Sequence, residues 1–69
     1  MNKAKIRNFQ DGESIPCLIK GNESYYQGEH NLIYNVKQPT EIQDNEYNLL
    51  VEIKPDQWIV CNSIDFDFI

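Results

Sequence analysis

Tyr47-Asn48-Leu49-Leu50-Val51-Glu52-Ile53-Lys54-Pro55-Asp56-Gln57-Trp58-Ile59-Val60-Cys61 is the stretch on which the fold turns. Its first half alternates: Tyr47, Leu49, Val51 and Ile53 fall on one face, Asn48, Leu50 and Glu52 on the other. A period of two is the pattern of a half-buried strand, not of a helix. Lys54-Pro55-Asp56-Gln57 interrupts it with turn chemistry. Proline presets φ for the first central position of a type I turn, and Asp suits the second. Trp58 to Cys61 then resumes as an apolar run. The segment predicts an antiparallel hairpin.

The same reading extends outward in both directions. Lys5 to Phe9 and Ile15 to Ile19 are strand candidates, ended by Asp11-Gly12 and Lys20-Gly21-Asn22. Pro16 lacks a ladder donor, which makes the second of these an edge or gives it an irregular start. Leu32 to Lys37 is a further strand, stopped by Pro39. The tail from Ile64 to Ile69 alternates again, with Ile64, Phe66 and Phe68 on one side and Asp65 and Asp67 on the other. It predicts a sixth short strand. Residues 20–31 carry little apolar content besides Tyr25 and Tyr26 and read as a surface loop. Thr40 to Asn45 offers at most one helical turn, with Thr40 as N-cap.

Five to six short strands in 69 residues predict one all-β domain over residues 1–69. The expected form is a small bent barrel that removes exposed edges. The last twenty-three residues resemble the Src-homology-3-like barrel: a distal hairpin over Tyr47 to Cys61, a helical turn over Asn62-Ser63-Ile64-Asp65, and a last strand Phe66-Asp67-Phe68-Ile69. Leu32-Ile33-Tyr34-Asn35-Val36 is similar to small members of that group in low-GC bacteria and their phages. The Ala-Leu-Tyr-Asp-Tyr-type run and the tandem Trp of proline-binding members are absent, so the resemblance implies no polyproline site.

Composition excludes several classes. The net charge is −5, 41% of residues are hydrophobic, and about 60% of the unfolded chain's surface can be buried at this length. No run approaches the roughly 18 apolar residues of a membrane span. The basic start, Met1 to Arg7, lacks an apolar core behind it, so no secretory signal is expected. Cys17 and Cys61 are too few for a stapled secreted miniprotein, which points to a reducing cytoplasm. Residues 1–20 carry a net +2 and residues 21–69 a net −7. Only the first segment could supply the basic stripe of a nucleic-acid binder.

The chemically suggestive residues each have a plain alternative. Cys17 and Cys61 lie in apolar strand contexts, without Cys-x-x-Cys spacing, and read as small buried hydrophobes. His30 is the sole histidine, too little for a zinc site, and no metal or cofactor is expected. Asp65 and Asp67, at i and i+2 on a strand, would lie on one face about 7 Å apart. They read as outer-face charge, because a glycosidase would need a deeper cleft than this length supplies. Tyr34, Tyr47 and Trp58 fit core or half-core positions. Tyr25 and Tyr26 are different, since adjacent strand or loop residues point apart and both cannot be buried.

The function expected from these residues is a non-enzymatic, acidic protein-interaction module in the cytoplasm. Tyr25 and Tyr26 would act as anchors, with Glu23, Glu29, Asp65 and Asp67 as charge facing a host protein with a basic surface. A phage-encoded inhibitor or modulator of a host defence or nucleic-acid-binding protein is one such case. The alternative is a nucleic-acid-binding barrel that uses the basic first strand.

Overall fold

A computed structural model describes residues 2–10, 12–29, 31–39 and 46–69. These form β1 (Lys3–Ile6), β2 (Ile15–Ile19), β3 (Asn22–Tyr26), β4 (Tyr34–Lys37), β5 (Leu49–Lys54), β6 (Gln57–Cys61) and β7 (Phe66–Phe68). A single 3₁₀ turn, Ser63–Asp65, precedes β7. The turn over Thr40 to Asn45 expected from the sequence lies outside the described residues. All pairings are antiparallel, in the order β3-β2-β6-β5-β4-β1-β7. The chain is therefore all-β, with seven strands among the described residues rather than five or six. The sheet is not closed, and β3 and β7 remain as edges.

The extra strand is β3, inside the segment expected to be a loop. Lys20 and Gly21 both have positive φ, 51° and 80°. This is the two-residue type I′ turn, whose twist matches that of the flanking strands. Ile19 and Asn22 face each other across it, and the ladder runs to Ile15 opposite Tyr26 without a register shift. Lys is an uncommon first residue for such a turn, and β3 lacks apolar alternation. For both reasons the hairpin was illegible as hydrophobic pattern.

The β5–β6 hairpin forms as expected, but its turn differs. Asp56 has φ 60°, whereas a type I turn requires negative φ there. Asp tolerates the left-handed region. A register shift between Glu52 and Lys54 absorbs the odd residue, Ile53. Asn62 caps the 3₁₀ turn by accepting from the Ile64 N–H at 3.1 Å.

Two cross-strand rows make the centre of the core: Val36–Val51–Ile59 and Leu49–Cys61–Cys17. Ile6, Tyr34 and Phe66 extend it toward β1 and β7, and Ile15 extends it along β2. The expected apolar face of the tail is only partly realised. Phe66 is buried, but Ile64 sits exposed in the 3₁₀ turn and Phe68 is exposed on the edge strand.

The sheet is strongly curled. In a flat sheet β3 and β4, four places apart in the order, would be about 19 Å from each other. Instead the Tyr26 ring packs edge-to-face on Tyr34 with centroids 6.2 Å apart, and Tyr34 does the same with Phe66 at 6.4 Å. This aromatic file links β3, β4 and β7.

Candidate functional site

The six residues singled out in the sequence separate into two groups at opposite edges of the sheet. Glu23 and Tyr25 lie on β3, on the outward side, opposite Leu18 and Pro16 of β2. Tyr25 is 74% exposed, the most exposed large hydrophobic side chain among the described residues. Tyr26 turns the other way and is half-buried. Its hydroxyl lies 3.3 Å from that of Tyr34. Burial, and then the hydrogen bond with Tyr34, push its ionisation far above the ordinary tyrosine range. Tyr26 thus packs against the core, and of the two tyrosines only Tyr25 stands exposed. The cause is strand geometry, since successive side chains on β3 face opposite ways.

Beyond β3 the chain passes close over the core. A Cβ on Gly28 would meet Ile6 Cδ1 and Tyr34 Oη, each at 2.6 Å. Gly28 is there for close approach. The Glu29 N–H then donates to Tyr34 Oη at 3.3 Å, leaving the Glu29 side chain exposed. Glu23 and Tyr25 therefore share the outward side of β3, while Glu29 lies beyond the far end of that strand, beside Tyr34.

Asp65 and Asp67 do not form the expected pair on one strand face. Asp65 closes the 3₁₀ turn, and only Asp67 is in β7. Asp67 Oδ1 accepts from Arg7 Nε at 2.9 Å, and Arg7 Nη2 also donates to the Phe66 carbonyl at 3.3 Å. Lys5 lies directly across from Asp67 in the ladder. Burial pushes the Asp65 carboxyl above its ordinary range, against an opposing pull from Arg7. The acids of the tail are thus matched locally by the basic first strand. This same matching weakens the basic stripe that nucleic-acid binding would use. Lys3 is committed too, donating to Asn35 Oδ1 at 2.9 Å, while Asn35 Nδ2 donates to Glu52 Oε1 at 3.0 Å.

Two features were not anticipated. The Lys37 ammonium sits 4.2 Å from the centroid of the Trp58 ring, a cation–π contact between β4 and β6. Between the β2–β3 and β5–β6 turns lies a cleft of about 390 Å³ lined by Ile19, Lys20, Ile53, Asp56, Gln57, Trp58 and Ile59. It forms because two turns, distant in sequence, arrive at the same end of adjacent strands. Only the β2–β6 pairing brings them together, and nothing local in the sequence encodes that pairing.

Cys17 and Cys61 are free, fully buried and directly opposite each other on β2 and β6. Burial, and then the neighbouring Cys17, push the Cys61 thiol up to about 12. Neither is a poised nucleophile. His30 and Asp11 lie outside the described residues. Among the described residues no helix is long and apolar enough to cross a membrane, and no three His, Cys, Asp or Glu side chains come together. No family model, no curated protein and no solved structure matches this chain.

Proposed function

We propose that this chain is a non-enzymatic, acidic protein-interaction module that binds a basic protein surface through the outward side of β3. The observation that carries the reading is Tyr25. A ring left 74% exposed on an edge strand, with Glu23 on the same side, contributes little to this fold. Exposed aromatics of this kind are the usual anchors of interfaces. Glu23 and Glu29 supply charge that steers a cationic partner before the ring docks. Asp65 and Asp67 play a lesser part, because Arg7 and Lys5 already face them. Nucleic-acid binding through Lys3, Lys5 and Arg7 is the alternative, disfavoured by the same pairing.

We read the fold as a variant of the Src-homology-3-like barrel. The support is the β5–β6 hairpin, the 3₁₀ turn directly after it, and a last strand that returns to pair with β1. The cytoplasm is the proposed location, supported by a cysteine count too low for a stapled secreted miniprotein. A phage-encoded inhibitor or modulator of a host defence or nucleic-acid-binding protein fits this description.

The test is a tagged capture from host lysate, comparing the parent with Tyr25→Ala. Proteins retained by the parent and lost from a folded Tyr25→Ala variant support the reading. Equal retention by both removes β3 as the interface and moves attention to the Asp67 edge.

A further inference from the structure

The two-residue turn between β2 and β3 dictates which backbone groups of β3 are used. The pair flanking such a turn, Ile19 and Asn22, is hydrogen-bonded, and pairs alternate from there. Ser24 and Tyr26 follow Asn22 in bonding to β2. Glu23 and Tyr25 fall at the intervening positions, so their N–H and C=O groups point away from β2. Pro16 confirms the phase, because it lies opposite Tyr25, where its missing N–H leaves the ladder intact. Among the described residues no strand pairs with the far side of β3.

Natural edges are normally guarded by lysine, proline, bulges or short length. Over its five residues β3 has no lysine, no proline and no bulge. Its one charge is Glu23, which makes no ion pair among the described residues. The opposite edge differs. β7 has three residues, its Asp67 is held by Arg7, and the following Ile69 N–H donates to the Lys3 carbonyl at 3.0 Å.

From this we infer that β3 captures an extended, cationic segment of a partner protein as an added antiparallel strand. The inference rests on the interaction reading above and specifies its mode. Main-chain bonds to Glu23 and Tyr25 would hold the segment. Glu23 and Tyr25, about 7 Å apart on one face, would select a lysine or arginine beside the carboxylate and against the ring. Charge chooses the occupant. A second copy centred on Ser24 would place Glu23 opposite Tyr25 of its mate, with no cation for either carboxylate, between two chains of net charge −5.

The probe is a capped nine-residue peptide of alternating Lys and Val, titrated into the ¹⁵N-labelled full chain. The expected result is slowing of amide exchange by at least about tenfold at Glu23 and Tyr25, with little change at Ser24 and Tyr26, which are already bonded. Of two peptides N-methylated at every Lys or at every Val, one should bind at least about tenfold more weakly than the other. Glu23→Gln should weaken binding several-fold while leaving the exchange pattern of the free chain unchanged. Shifts at Glu23 and Tyr25 without amide protection, or equal binding of the two methylated peptides, overturn strand addition but leave the interaction surface standing. No binding at about 1 mM peptide overturns both. Protection of these amides in the absence of peptide, with a doubled mass in solution, makes a second copy the occupant and also overturns the proposal.

Discussion

Replacing Phe66 by Ala tests the curled sheet at the place where its two ends meet. Phe66 is 1% exposed and packs edge-to-face on Tyr34 at 6.4 Å and 84°. Truncating a buried Phe removes its transfer free energy and leaves a cavity, together about 3–5 kcal/mol. The lost ring–ring geometry accounts for about 0.5–1.5 kcal/mol within that figure. A chain of this length has a total stability of roughly 3–10 kcal/mol. The substitution should therefore remove much of it, lowering Tm by about 12–40 °C. Trp58, the single Trp, is half-buried on β6 and reports the transition by fluorescence in urea. With a slope near 1 kcal/mol/M, the midpoint should fall by about 3 M or more. Phe66→Leu, which keeps most of the volume, should lose about 1–2 kcal/mol and stays measurable if the Ala variant does not fold. A loss below about 1 kcal/mol for Phe66→Ala would refute the packing of β7 onto the aromatic file.

Gly28→Ala should destabilise by about 1–3 kcal/mol in the same urea assay, because its Cβ would press on Ile6 and the rigid Tyr34 ring. Asp65→Asn should stabilise the chain at pH 7. The folded state raises this carboxyl above its ordinary 3.8, so the ionised form opposes folding above the folded pKa, and the gain should vanish as pH falls below about 4. Glu52→Gln should do the opposite. Asn35 and then the Asp56 N–H hold that carboxyl below its ordinary range, so the stability it adds is present above 4.5 and is lost on acidification. A double-mutant cycle on Arg7 and Asp67 should give under about 1 kcal/mol, fading in high salt, since the two side chains are 50% and 45% exposed. Both thiols should react with an aromatic disulfide reagent no faster than the chain opens, as measured by parallel hydrogen exchange, because burial raises the pKa of each.

The β5–β6 hairpin was legible because its signals are local. The alternation of Tyr47 to Ile53 and the break at Pro55-Asp56 reflect side-chain periodicity and the fixed φ of proline, which act over a few residues. The same logic placed Val51 and Phe66 in the core and required Tyr25 and Tyr26 to point apart. Even so, the sequence could not say which tyrosine would be exposed, because that depends on which face of β3 meets the core. β3 itself, polar throughout, carries no period-two signal. It exists because Lys20-Gly21 folds it back onto β2, and because a five-residue ladder satisfies backbone groups that an isolated segment would leave to water. The fate of the acids was equally non-local. Glu23 and Asp67 look alike in sequence. One ends on an edge where no cation faces it among the described residues. The other lies across from Lys5 and against Arg7, some sixty residues away, because an antiparallel sheet sets charge partners by register and register is a property of the closed chain path.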